Sequence, residues 1–160
     1  MPEVRMDGEA VSSTRIRALL LEGRLEEANR LLGHCHVLSG EIRHGQHLGS
    51  RIGFPTANMW FAPGVLVPAH GVYAGRLELE GEPEAKYAVT NVGIRPTVSS
   101  SGSVTVESYI PDYSADLYGR KARLEFLTFL RPEIRFADLA ELTAQIGRDA
   151  DRVRALRDGA

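Results

Sequence analysis

The densest run of chemistry-bearing residues lies between His44 and Asn58, where the chain reads His-Gly-Gln-His-Leu-Gly-Ser-Arg-Ile-Gly-Phe-Pro-Thr-Ala-Asn. Gly45, Gly49 and Gly53 recur every four residues, with His44, His47 and Arg51 between them. Glycine lets a backbone approach an anion closely and aim N–H groups at it, while a nearby cation adds charge. A phosphate is therefore one expected ligand. No Gly-Lys-Ser/Thr follows, so the segment is not a P-loop. The plainer alternative is a surface loop with incidental basic residues. Directly after it, Pro55 stiffens the chain, and Thr56 and Asn58 face the same way if the backbone is extended. A hydroxyl and an amide oxygen on one face suit a hard cation such as Mg²⁺ shared with phosphate oxygens. A turn in which both side chains satisfy local backbone competes with that reading.

Glu107 is the other candidate, inside Thr105-Val106-Glu107-Ser108-Tyr109. In a regular strand Thr105, Glu107 and Tyr109 share the face opposite Val104, Val106 and Ile110. A carboxylate there is either a solvated group on an outer face or a general base for an attacking hydroxyl. His34, Cys35, His36, His44 and His47 offer zinc-binding atoms, but their spacing fits no familiar structural zinc site.

The elements that must position these groups fall into two textures. Residues 12–33 have helical spacing: Ile16, Leu19 and Leu20 form one stripe, Gly23 interrupts, and Leu25, Ala28, Leu31 and Leu32 form another before Gly33. From residue 37 the pattern turns to short strands: 37–43, 72–79, 86–92, 104–110 and 122–130, with Gly81-Glu82-Pro83 marking a turn. Strands of this kind make a closed antiparallel barrel or a sandwich. The carboxyl end is a helix: Asp138 and Glu141 suit a capping box, and Leu139, Leu142, Ile146, Ala150, Val153 and Leu156 form a stripe expected to pack on a core. Ser99 to Ser103 is a polar loop.

Composition narrows the function classes. The 19 Lys and Arg against 21 Asp and Glu leave a net charge of −2, which disfavours a nucleic-acid binder or a membrane-surface protein. Cys35 is the single cysteine, so no disulfide can form within the chain and a reducing compartment is expected. Met1 to Gly8 resembles neither a signal peptide nor an anchor, so a cytoplasmic protein is expected, and a monomer.

Taken together the segments resemble the riboflavin kinase family. Gly40-Glu41-Ile42, His44-Gly45, Gly49 and Gly53 through Asn58 are similar to its opening signature. His70 to Ala74, Asn91 to Thr97, Val106 to Tyr109, Asp116 to Gly119, Phe126 to Phe136 and Gln145 to Asp149 follow in the family's order. The resemblance covers about residues 37–158. It implies a mainly β fold, a closed six-stranded antiparallel Greek-key barrel with a C-terminal helix, preceded here by short N-terminal helices.

The resemblance also implies an activity: the γ-phosphate of ATP moves to the 5′-hydroxyl of riboflavin, giving FMN and ADP. It implies that Thr56 and Asn58 hold Mg²⁺ and the ATP phosphates and that Glu107 is the catalytic base. Gly45, Gly49, Arg51 and Gly53 would belong to the phosphate-covering loop, and Pro55 would bind the nucleotide beside Thr56. Asn91 and Arg95, in the segment Asn91 to Thr97, would flank the flavin, as would Asp116 to Gly119.

Val11 to Arg17 is similar to the Ser-Ser-Thr-Arg-Ile-Arg motif near the end of the adenylyltransferase part of bifunctional FAD synthetases. Residues 1–36 are thus expected to be the end of such a domain plus a linker, and residues 37–160 the kinase domain. The partner motif His-x-Gly-His is absent, so FMN adenylylation is not expected of this chain. The change of texture near residue 36 further implies that residues 1–33 can be removed without unfolding the rest. The expected partners are riboflavin or FMN and ATP or ADP, without nucleic acid or membrane. A flavin-binding module without turnover and a nucleic-acid-binding barrel are the competing classes.

Overall fold

The computed structural model describes residues 4–6, 9–43, 53–95 and 103–159. Two short strands, β1 (Val4–Met6) and β2 (Glu9–Val11), pair antiparallel with each other. Helices α1 (Ser13–Leu21) and α2 (Leu25–Leu32) follow. Then come β3 (His36–Arg43), β4 (Ala57–Trp60), β5 (Gly71–Leu79), β6 (Lys86–Arg95), β7 (Ser103–Tyr109), β8 (Lys121–Arg131) and the long helix α3 (Leu139–Asp158).

Strands β3 to β8 close into one antiparallel barrel in the order β3-β4-β7-β6-β5-β8. Three successive strands, β5 to β7, run as a meander and β8 returns beside β5, which is a Greek key. Of the two architectures open to the strand pattern, the barrel forms. Period-two alternation produces its core: Leu38, Ile42, Met59, Tyr73, Leu124 and Phe126 point inward and are buried.

Helices α1 and α2 are built as their sequence suggests. The Ser12 hydroxyl accepts from the Arg15 amide at 3.1 Å, and Gly33 closes α2 at φ 79, a left-handed turn open to glycine. Their packing departs from expectation. Leu19, Leu20, Leu25, Ala28 and Leu31 belong to the same buried cluster as the barrel interior. The Glu26 carboxylate takes the Phe129 N–H at 2.9 Å and the Thr128 hydroxyl. Asn29 donates to the Phe126 carbonyl at 2.9 Å and accepts from the His36 N–H at 2.8 Å. The barrel core therefore runs into these helices, which counts against the expectation that residues 1–33 are dispensable. Strand texture locates the barrel but not what plugs its end.

Helix α3 starts on Asp138, whose carboxylate accepts from the Glu141 amide at 2.9 Å. Its apolar stripe is only partly core. Ala150 and Val153 are buried against Val72, Ala74 and Val89 on the outer face of the barrel, whereas Leu139 and Leu156 are 59% and 41% exposed. The stripe thus outlasts the apolar surface it packs on. Among the described residues no helix is long and apolar enough to cross a membrane.

Candidate active site

Strand β7 lies between β4 and β6, and the registers bring together three polar residues from distant parts of the chain. Glu107 is opposite Asn58 on β4 and opposite Asn91 on β6. Directly opposed residues share a face, so the two amides flank the carboxylate in one outward row. The row continues through Val72 on β5 to Arg131 on β8. One residue along, Ala57, Ser108 and Thr90 form the inward row. There the Thr90 and Ser108 hydroxyls hydrogen-bond at 2.8 Å, so two buried polar groups satisfy each other in the barrel interior.

A cavity of about 570 Å³ covers the part of this row from Glu107 through Asn91 and Val72 to Arg131, between the barrel wall, the segment 131–136 and α3. Thr56, Asn91, Glu107, Arg131, Glu133, Arg135 and Asp149 are among its polar lining residues. Phe54, Tyr109, Ile134, Phe136, Leu142 and Ile146 supply apolar walls, with Phe54 and Tyr109 edge to face at 5.2 Å. Such a mixture suits a planar, mostly apolar molecule fixed by a few polar contacts.

A buried ion pair holds the back wall. Arg131 Nη2 donates to Asp149 Oδ2 at 2.8 Å and Nε donates at 3.0 Å, while Gln145 Nε2 donates to Oδ1 at 3.0 Å. Asp149 is 1% and Arg131 14% exposed, so the pair joins β8 to α3 out of water. Removing one partner would strand the other charge. Gly93, two residues beyond Asn91, explains the place of Glu133: a Cβ there would sit 2.5 Å from Glu133 Oε1. The missing side chain lets that carboxylate lie on the strand.

On the other side of Thr56 is a smaller cleft of about 100 Å³. Pro55 and Ser108 meet Tyr113, Ala115, Leu117 and Tyr118 of the β7–β8 connection there. Thr56 lines both spaces. Two ligands bound in them would meet at Thr56, beside Glu107 and Asn58.

The riboflavin kinase (flavokinase) family model matches residues 32–157. The chain belongs to the riboflavin kinase family. The bifunctional riboflavin kinase/FMN adenylyltransferase of Escherichia coli K12 is 42% identical over 142 residues, 89% of this chain and 44% of the relative. That of Listeria monocytogenes is 37% identical over 147 residues, 92% of this chain and 46% of the relative. A crystal structure described as a macrolide-efflux protein from Streptococcus pneumoniae matches at a TM-score of 0.87 and 31% identity, covering 96% of this chain and 50% of that chain. The chain spans about half the length of the curated relatives it matches.

Within this kinase domain, the structure brings Thr56, Asn58, Asn91 and Glu107 together. Pro55 borders the small cleft, and Gly53, at φ 88, precedes it in the chain. Gly45, Gly49 and Arg51 lie outside the described residues, as do Pro96 and Thr97. Arg95 ends β6 opposite Ser103, with its side chain also outside the description. The two flavin-flanking candidates separate: Asn91 lines the large cavity, whereas Leu117 and Tyr118 line the cleft across Thr56. Reasoning from sequence assigned no role to Phe54, Tyr109, Glu133 or the Arg131–Asp149 pair. One signal was available, because Asp149 falls on the apolar stripe of α3 between Ile146 and Val153, where a lone carboxylate demands a partner.

Proposed function

We propose that this riboflavin kinase domain transfers the γ-phosphate of ATP to the 5′-hydroxyl of riboflavin at the Asn58–Glu107–Asn91 row. The observation that carries this reading is the register placing Glu107 between two amides beneath a cavity with apolar walls. The isoalloxazine ring takes the large cavity against Phe54, Tyr109 and Ile146, and its ribityl chain runs toward Glu107. ATP takes the small cleft, so its γ-phosphate reaches Thr56. As the hydroxyl oxygen bonds to phosphorus, its proton passes to the Glu107 carboxylate and the bond from phosphorus to the ADP oxygen breaks. Phosphoryl transfer asks the protein mainly to position reactants and offset charge, so the proton moves late.

The donors present fit Mg²⁺. Among the described residues no group of three or more His, Cys, Asp or Glu could hold a metal. Thr56 and Asn58 instead offer the few hard oxygens that suit an ion keeping its waters and phosphate ligands. Held there, Mg²⁺ would neutralise phosphate charge. Gly45, Gly49, Arg51 and Gly53 cover the phosphates, and Asn91 and Arg95 contact the flavin. Residues 1–36 correspond to the end of an adenylyltransferase part, and the kinase works in the cytoplasm as a monomer.

Glu107→Gln keeps the shape and removes the basic site. Its kcat should fall by about 10²–10⁴-fold, toward the lower end, with KM values little changed, as read by chromatography of FMN. A wild-type kcat would return Glu107 to a solvated carboxylate. No FMN from the unaltered chain with riboflavin and MgATP would leave a flavin-binding module.

A further inference from the structure

The helix that walls the large cavity also grips the loop that walls the small one. Asp112, in the β7–β8 connection, is the one non-glycine residue with positive φ among the described residues, at 62°. Aspartate tolerates that backbone better than most residues, yet it persists only where its surroundings hold it. Here two arginines from the last turns of α3 do so. Arg154 forks the carboxylate, with Nε to Oδ2 at 3.0 Å and Nη2 to Oδ1 at 3.1 Å, and Arg157 Nη1 donates to Oδ2 at 3.1 Å. These hydrogen bonds, Arg154 first, hold the Asp112 carboxyl below its ordinary range.

The adjacent Tyr113 is held from the opposite side. Its hydroxyl donates to Glu82 at 2.6 Å, and the Lys86 ammonium lies 5.0 Å from its ring. The next residues of the same connection line the cleft beside Thr56. The other half of α3 presents Leu142, Ile146 and Asp149 to the large cavity. One helix therefore lines the large cavity and grips the connection whose next residues line the small cleft.

We propose that Asp112 is a positioning residue for the nucleotide: gripped by Arg154 and Arg157, it sets the cleft-lining connection against Thr56 and ties it to the helix that walls the flavin cavity. This rests on the assignment of the small cleft to ATP. A single exposed ion pair contributes little, but a forked carboxylate with a third donor and a left-handed backbone to maintain is better placed to matter.

The test uses the full chain. Calorimetry measures binding of a non-hydrolysable MgATP analogue, and fluorescence quenching measures binding of riboflavin alone. The variants are Asp112→Asn, Asp112→Gly, the Arg154→Gln/Arg157→Gln double variant, and Ala115→Trp, which fills the cleft. Asp112→Asn should weaken the analogue about three- to tenfold while the riboflavin Kd stays within about twofold. Asp112→Gly should weaken it similarly although glycine accepts the backbone freely, which assigns the effect to the charge link. The KM for MgATP should rise in the same ratio with kcat held within about twofold. Near 1 M salt, where the screening length is about 3 Å, Asp112→Asn and wild type should converge.

Analogue binding unchanged in every Asp112 variant, or loss of both ligands together with a lowered melting temperature, would overturn the proposal. If Ala115→Trp leaves analogue binding intact, the cleft assignment fails and the role of Asp112 fails with it. If Ala115→Trp weakens the analogue but the Asp112 variants do not, the assignment stands and the positioning role alone is wrong.

Discussion

Helices α1 and α2 and helix α3 present similar amphipathic stripes in the sequence, and the fold uses them differently. The first two bury Leu19, Leu20, Leu25, Ala28 and Leu31 in the barrel core. The third buries Ala150 and Val153, spends Leu142 and Ile146 on the wall of a cavity, and leaves Leu139 and Leu156 exposed. It is held instead by polar contacts, above all Arg131 with Asp149 and Arg154 with Asp112. An apolar stripe thus shows that a helix has something to cover, not whether that is core or ligand. The lesson is energetic: the amino-terminal pair is held by burial in the core, and the carboxy-terminal helix by ion pairs that also shape a cavity.

Removing residues 1–33 should break the comparison most severely. Each large apolar side chain so buried contributes about 1.5–3 kcal/mol, and several together rival the whole stability of a typical domain, about 5–15 kcal/mol. Loss of a cooperative melt by circular dichroism is expected. A 34–160 chain melting near the wild-type temperature would show that α1 and α2 are ornaments on a self-sufficient barrel.

Asp149→Ala comes next. It leaves the Arg131 guanidinium buried without its partner, and should lower stability by about 3–5 kcal/mol in chemical denaturation. It should also raise the KM for riboflavin, because the wall made by α3 loosens. A large stability loss with unchanged KM would mean that α3, like α1 and α2, serves only stability.

Ile146→Ala sharpens the contrast at lower energy. The side chain faces the cavity rather than the core, so stability should fall by less than about 1 kcal/mol. Riboflavin Kd should nevertheless weaken about fivefold, measured by flavin fluorescence, since apolar contact with the ligand is lost. Equal binding would place the flavin elsewhere.

The smallest effect concerns His36, behind α2. Burial disfavours its charged ring and outweighs the hydrogen bond to the Leu66 carbonyl, so its pKa lies below the ordinary 6.5. The unfolded chain then binds more protons in that window. This contribution to stability is present above about pH 6.5 and is lost as pH falls through the depressed value. In His36→Gln the dependence of melting temperature on pH should flatten slightly between about pH 7 and pH 5. An unchanged slope would remove His36 from the acid sensitivity of the amino-terminal interface.

By itself the sequence determined what short-range physics controls. Gly33 marks a left-handed helix end and Asp138 a helix start, because caps depend on residues within one turn. Alternation in 104–110 puts Val106 inward and Glu107 outward, because side chains of a strand alternate whatever its neighbours are. Thr56, Asn58 and Glu107 were legible as candidates from type and local spacing alone.

Tertiary structure decided what these residues meet. Glu107 could have faced any strand. Only the closing of the barrel in the order β4-β7-β6 sets it between Asn58 and Asn91. The same closure puts Leu117 and Tyr118 across Thr56 from Asn91, brings Arg131 to Asp149, and lets α1 and α2 plug the barrel. Register, ion pairing across elements and the sharing of a core depend on which segments become neighbours. That choice minimises the free energy of the whole chain, and no local window contains it.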